Sequence, residues 1–218
     1  MKKLTFLIAL LFSFASCAYA QFGERIVQIK VDTALSNLRN QGVDTIISYH
    51  PYCVGCVITW SDTSKSKCHS TDRQYLIWIK NGKNFLQLFD ECYSYEPLAN
   101  VSAAIIEIYK DHFVQITKED IKPVTFKLLV DGKEQEFVSD VDHDRLHDFV
   151  FYSKNQKVEK FFGEYDLYTR YEGDVYGQKV DTIKHARNIN YDYNQHTYLK
   201  RLCDEIERQL KSTRFRRK

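Results

Sequence analysis

YLIWIKNGKNFLQLFD, residues 75–90, is the stretch that decides the fold. Two apolar runs flank Asn81-Gly82. An Asn-Gly pair accepts the positive φ that both central positions of a type I′ turn require, and the twist of that turn matches the strands it joins. A two-residue loop then sets the register, with Trp78 facing Phe85 and Ile77 facing Leu86. Alternation puts Tyr75, Ile77, Ile79, Leu86 and Leu88 on one face, and Leu76, Trp78, Phe85 and Phe89 on the other. Both faces are apolar, so this hairpin is expected centrally in a sheet covered on both sides.

A second hairpin is expected at Asp131-Gly132, with Phe126 opposite Phe137, Leu128 on the same face, and Lys127 opposing Glu136 as a cross-strand ion pair. Val43–Tyr49, rich in β-branched residues, reads as extended, and Pro51 excludes a helix there. Val57–Trp60 reads as a short strand and Ser61–Thr71 as an exposed polar loop. Phe149–Tyr152 and Val158–Phe162 read as a further strand pair.

Helical spacing brackets these strands. Over Glu24–Gln41, Val27, Val31, Ala34, Leu35 and Leu38 recur at three and four residues, and Gly42 is a natural stop. Pro97–His112 reads as a middle helix with Leu98, Val101, Ile105 and Ile108 on one face, although Ala103–Tyr109 alone also suits a strand. Asn194–Ser212 is the strongest pattern: Leu199, Leu202, Cys203, Ile206 and Leu210 form one stripe, with Glu207 and Lys211 as an i,i+4 pair. Residues 163–193, rich in Tyr, Asp and Asn, carry no firm assignment. The expected class is α+β: an antiparallel sheet built from hairpins, with the N-terminal, middle and C-terminal helices packed on it.

The first twenty residues indicate a compartment. Lys2 and Lys3 precede the uncharged run Leu4–Ala15, which is too short to span a bilayer, and Ala18-Tyr19-Ala20 forms a small-x-small cleavage site. Residues 1–20 are therefore expected to be a cleaved export signal, leaving residues 21–218 as a single globular domain in the periplasm or outside the cell. Phe14-Ala15-Ser16-Cys17 loosely resembles a lipobox, but Phe14 fits poorly, so a lipid anchor at Cys17 is the lesser alternative. Nothing in the mature chain is apolar for long enough to be a transmembrane segment.

Hydrophobic residues make up 44% and charged residues 28% of the chain, a balance that separates it from disordered proteins. The net charge of +2 argues against a general polyanion binder. Lys211, Arg214, Arg216, Arg217 and Lys218 cluster at the end, where a solvated helix terminus and frayed tail account for them. No base-reading or stacking pattern accompanies them, so there is no nucleic-acid signature.

The cysteines hold the sharpest chemistry. In an oxidising compartment Cys53, Cys56, Cys68 and Cys92 are disulfide candidates, with Cys53 and Cys56 each bridging to one of Cys68 and Cys92. Cys203, on the apolar stripe of the last helix, is expected to pack as a small inert hydrophobe. Cys53-Val54-Gly55-Cys56 also has the spacing of a redox pair, but the residues after it read as strand, so no helix dipole lowers the first thiol's pKa. His50, Cys53, Cys56, Cys68 and His69 supply the ligand types of a zinc site, although thiolates outside the cytoplasm oxidise readily.

Other constellations are weaker. Asp140, Asp142 and Asp144 alternate like the start of an EF-hand, but its sixth and twelfth positions fall on Arg145 and Phe151. His143, His147 and Asp148 are expected in a solvated loop or turn. Ser64-Lys65-Ser66-Lys67 lacks the partner motifs of a serine acyl enzyme, and no phosphate loop or nucleophile elbow is present. No cofactor is implied. The leading reading is an exported, non-catalytic binding or structural protein acting on an envelope or extracellular partner. The alternative is a thiol–disulfide or zinc-dependent enzyme centred on Cys53 and Cys56.

Overall fold

A computed structural model of the chain describes residues 25–55, 72–130, 132–154, 156–170 and 186–218. The export signal, Cys17, the Val57–Trp60 strand and the Ser61–Thr71 loop lie outside those residues.

Strands β2 (Arg73–Lys80) and β3 (Lys83–Asp90) form the hairpin that the sequence requires. Asn81 and Gly82 take φ of 50° and 72°, and Trp78 faces Phe85 while Ile77 faces Leu86. Strand β1 (Thr45–Val54) pairs antiparallel with β2, so that Ile46 faces Trp78. Its other edge pairs with β7 (Asp144–Ser153), which turns back into β8 (Gln156–Gly163). Leu98 and Ala99, as β4, close the far edge, giving a six-stranded sheet in the order β4-β3-β2-β1-β7-β8.

One face of this sheet carries Ile47, Tyr49, Tyr75, Ile77, Leu86, Phe149 and Phe151 into the main core. Helices α2 (Ala103–Lys118) and α4 (Tyr198–Ser212) cover it with Ile105, Ile116, Leu199, Leu202 and Ile206. The opposite face carries Ile46, Leu76, Trp78 and Phe89, and is covered by α1 (25–40) through Val27, Val31, Leu35 and Leu38. Helix α1 ends in a Schellman motif: Gly42 has φ of 74°, Val43 N–H donates to the Leu38 carbonyl at 3.0 Å, and Gly42 N–H to that of Arg39 at 2.9 Å.

The structure departs from the sequence reading at several places. The middle helix begins at Ala103 rather than Pro97, because Leu98 and Ala99 instead pair with Leu86 and Phe85 on the open edge of β3. Asn100, at φ of 61°, then turns the chain into the helix. Ala103–Tyr109 is helical, and beyond a kink at His112 the helix carries Ile116 into the core.

Strands β5 (Val124–Val130) and β6 (Lys133–Ser139) have the expected register, but form a separate two-stranded sheet. Their apolar face packs on Tyr165, not on the main sheet. Lys127 opposes Glu136 in register, yet its Nζ pairs at 2.7 Å with the diagonal Glu134.

The last helix starts at Tyr198 rather than Asn194, behind the N-cap Thr197, whose side chain accepts from Lys200 N–H. Asn194 belongs to the short α3 (Tyr191–Gln195), buried where its side chain holds both the N–H and the carbonyl of Lys122. Glu207 does not turn toward Lys211. It faces inward, with Oε1 2.7 Å from Arg145.

The basic tail, finally, is not frayed. Lys218 N–H donates to the Ser94 carbonyl at 2.8 Å, Glu96 N–H donates to that of Arg216 at 3.1 Å, and the Arg217 guanidinium lies 3.8 Å from the centre of the Tyr93 ring. Phe215 anchors this extended segment between Tyr75 and Tyr95, with ring centres 5.9 and 6.2 Å away.

Candidate functional site: a cleft beside the N-terminal helix

A helix is roughly 10 Å across, and strands are spaced at about 4.8 Å, so one helix covers about two strands. On the core face α2 and α4 together cover about four of the six strands, and Tyr95 and Phe215 pack beside them. On the other face α1 is the one covering helix among the described residues, and a cleft of about 650 Å³ opens beside it over β3.

Trp78, Phe85, Gln87 and Phe89 form the floor of this cleft, all on the same face of the hairpin. Trp78 and Phe85 stack with ring centres 5.4 Å apart and planes 11° from parallel. One wall is the flank of α1, where Ile29, Lys30, Thr33, Ala34 and Asn37 recur at helical spacing. Ile29 is 57% exposed, high for a residue of its type.

The far wall is the segment from Tyr93 to Pro97. Asp90 folds it: Oδ1 accepts from the N–H groups of Cys92 and Tyr93 at 2.9 and 2.7 Å, and Oδ2 from the Tyr95 hydroxyl at 2.7 Å. Lys30 reaches across and donates to the carbonyls of Asp90, Glu91 and Tyr93 at 2.7, 3.3 and 3.2 Å. The docked C-terminal segment backs this wall.

The electrostatics are one-sided. Lys30 and Lys80 line the cleft, and among the described residues no lining side chain carries a carboxylate; Lys218, the final residue, adds an ammonium and an α-carboxylate together. The partners of Lys30 are neutral carbonyls, and Lys80 donates to the amide oxygen of Gln41 at 2.5 Å. Neither contact cancels the charge.

A second constellation lies under the core face. The Tyr49 hydroxyl donates to Glu207 Oε1 at 2.5 Å and stands 2.7 Å from His147 Nδ1. Cys203 Sγ lies 3.5 Å from the same nitrogen, and Arg145 holds Glu207 at 2.7 Å. With the Tyr49 O–H directed at Glu207, the tautomer of His147 protonated at Nδ1 donates to the tyrosine oxygen. Burial, and then the neighbouring Arg145, push the His147 pKa down to about 4; burial pushes the Cys203 thiol up to about 12. Both are therefore neutral near pH 7. A nucleophilic cysteine needs a thiolate and access to solvent, whereas Cys203 and His147 are each 4% exposed. The group is a satisfied polar network within the core.

His147 was expected in a solvated loop. It is buried because β7 already begins at Asp144, and alternation points His147 inward with Phe149 and Phe151. That period-two pattern was the available signal in the sequence. Asp140, Asp142 and His143 precede the strand, with Asp140, Asp142 and His143 exposed. Cys203 is the buried free thiol expected, but it touches a polar network rather than apolar neighbours alone.

The other candidate residues are dispersed. His50 sits on the α1 side of β1, with Nε2 2.5 Å from Asp72 Oδ1 and its ring stacked 4.9 Å from Tyr52. Cys53, three residues further along the strand, falls on the opposite face. Its sulfur is 3.7 Å from the Val54 carbonyl. Cys92 lies in the turn after β3. Neither is a free thiol. Cys56, Cys68 and His69 lie outside the described residues. Among the described residues, no group of three or more His, Cys, Asp or Glu side chains is placed to hold a metal ion. No helix among them is long and apolar enough to cross a membrane.

The chain matches no protein-family model, no curated protein and no solved structure.

Proposed function

We propose that the protein is exported, is cleaved after Ala20, and acts without catalysis, by binding a partner or ligand of the envelope or extracellular space. The observation that supports the binding reading is the cleft beside α1, with its aromatic floor and with Lys30 and Lys80 facing no side-chain carboxylate among the described lining residues. Its volume of about 650 Å³ lies within the usual range for ligand sites, and apolar walls with a few polar groups are their usual lining. The titratable groups around Tyr49 hydrogen-bond to one another, and His147 and Cys203 are buried there.

The oxidising compartment suits a disulfide framework in which Cys53 and Cys56 each bridge to one of Cys68 and Cys92. Its support is that Cys53 and Cys92 are both held as half-cystines.

The test is purification of the mature protein from its own compartment, alongside Thr33→Trp. Thr33 is exposed on the cleft flank of α1, so an indole there fills the cleft without entering the core. Mass spectrometry should find a co-purifying species with the native protein that is lost from the variant. Equal capture by both, or by neither, would overturn the cleft as the binding site. N-terminal sequencing of the same sample should begin at Gln21. Retention of Met1 would refute export by this signal, and a diacylated Cys17 would establish the anchored form instead.

A further inference from the structure

We infer that the cleft binds a small anionic amphiphile of the fatty-carboxylate class, tail along the aromatic floor and head group at Lys80. The inference rests on the binding reading above and adds the chemistry of the ligand and its direction.

The direction follows from counting donors. An ammonium has three N–H groups. Those of Lys30 are directed at three carbonyls of the chain's own backbone, so that end of the cleft is closed by an internal contact. Lys80, at the other end, has one partner, the neutral amide oxygen of Gln41. Lys83 is the cross-strand partner of Lys80, so a second cationic residue sits on the same face of the hairpin at the turn. An anion placed there gains charge-assisted hydrogen bonds.

The body of the ligand follows from the floor. From Lys80 toward Lys30 the surface runs over Trp78 and Phe85 and then Phe89. Along α1 the distance from Gln41 to Lys30 is roughly 16 Å at 1.5 Å per residue. That is comparable with the extended tail of laurate. A wholly polar anion would leave the partly exposed ring of Phe85, stacked on the buried Trp78, without apolar cover, and a neutral hydrocarbon would leave Lys80 without a counter-charge.

The probe is sodium laurate, below its micelle concentration, titrated into the mature protein carrying Trp60→Phe. Trp78 is then the remaining tryptophan, and its emission reports on the floor of the cleft. Laurate should change that emission saturably. Dodecanol, with the same tail and no charge, should bind about tenfold more weakly, as should laurate to Lys80→Gln. Lys80→Gln should leave the melting temperature and the dodecanol affinity unchanged. Equal affinity for laurate and dodecanol, or no effect of Lys80→Gln, would overturn the head-group assignment. A linear, non-saturating response or none would overturn the amphiphile altogether. If Thr33→Trp still removed a co-purifying species, such as an acidic peptide or a second copy of the chain, the binding reading would survive that failure; if it removed nothing, both would fall.

Discussion

Tyr49 has one hydroxyl and three polar neighbours, and the whole polar network under the sheet is organised by that shortage. Its proton goes to Glu207, its oxygen faces His147, and its ring packs 4.8 Å from that of Phe149. Tyr49→Phe keeps the ring and removes both bonds. His147 Nδ1 then keeps no strong partner in a buried site, so we expect a loss of about 1–3 kcal/mol by chemical denaturation. His147 also imposes a pH dependence. Its pKa is about 4 in the folded chain and near 6.5 when unfolded. Between those values the unfolded chain binds a proton that the folded chain refuses, so stability falls as pH drops through that window. The loss is on the order of 3 kcal/mol. Asp144, Asp148 and Asp166, whose carboxyls burial raises, act in the opposite direction. The measurement is therefore a comparison of melting temperature against pH for the native protein and His147→Phe. The variant should be less stable at pH 7 but should lose less on acidification; parallel curves would show that His147 does not titrate as its burial implies.

Helix α4 and the segment after it contribute in different ways. Leu202 and Ile206 are fully buried against the sheet. Ile206→Ala should cost about 2–4 kcal/mol, the usual result of emptying a packed site. The tail was expected to contribute nothing, but Arg217 lies over Tyr93 and Phe215 is wedged between two tyrosine rings. Arg217→Ala should cost about 0.5–1 kcal/mol, the range of an exposed cation–π contact. Removal of residues 214–218 should cost more than that single substitution, and should increase hydrogen exchange at Glu96, whose N–H bonds Arg216. Unchanged exchange would show that the segment does not hold the far wall of the cleft in solution.

At the scale of the molecule, what matters is how the two faces of one sheet are covered. Two helices and the docked tail cover the core face, while among the described residues α1 is the one helix on the other face and leaves part of it open over β3. The disulfides would act on the same scale. Each proposed bridge closes a loop of roughly 10–40 residues, so loss of one should destabilise the fold by about 2–4 kcal/mol. Reduction should lower the melting temperature markedly, while Cys203→Ser should leave the non-reducing peptide map unchanged. A Cys53–Cys56 bridge that exchanges readily with glutathione would refute the pairing.

Local chemistry made the hairpins legible. Asn81-Gly82 imposes a turn geometry within four residues, and a period of two then assigns every side chain in 75–90 to a face, so class and register could be read. The same holds for the stripes of α1 and α4 and the stop at Gly42. The central, doubly covered position expected of the hairpin holds for β2 but not for β3, which has only the two-residue β4 on its outer edge and a cleft over one face. Non-local competition decided the rest. Leu98 and Ala99 have helical neighbours, but an open strand edge claims their backbone. Glu207 has Lys211 one turn away, but Arg145 and Tyr49, distant in sequence, offer a buried partner. The charges of the tail suggested solvent, but Phe215 fits between tyrosines that only the folded sheet brings together. The cleft belongs to this second group: it depends on which strands lie beneath α1 and which do not, and strand order is set by pairing between segments far apart in the chain.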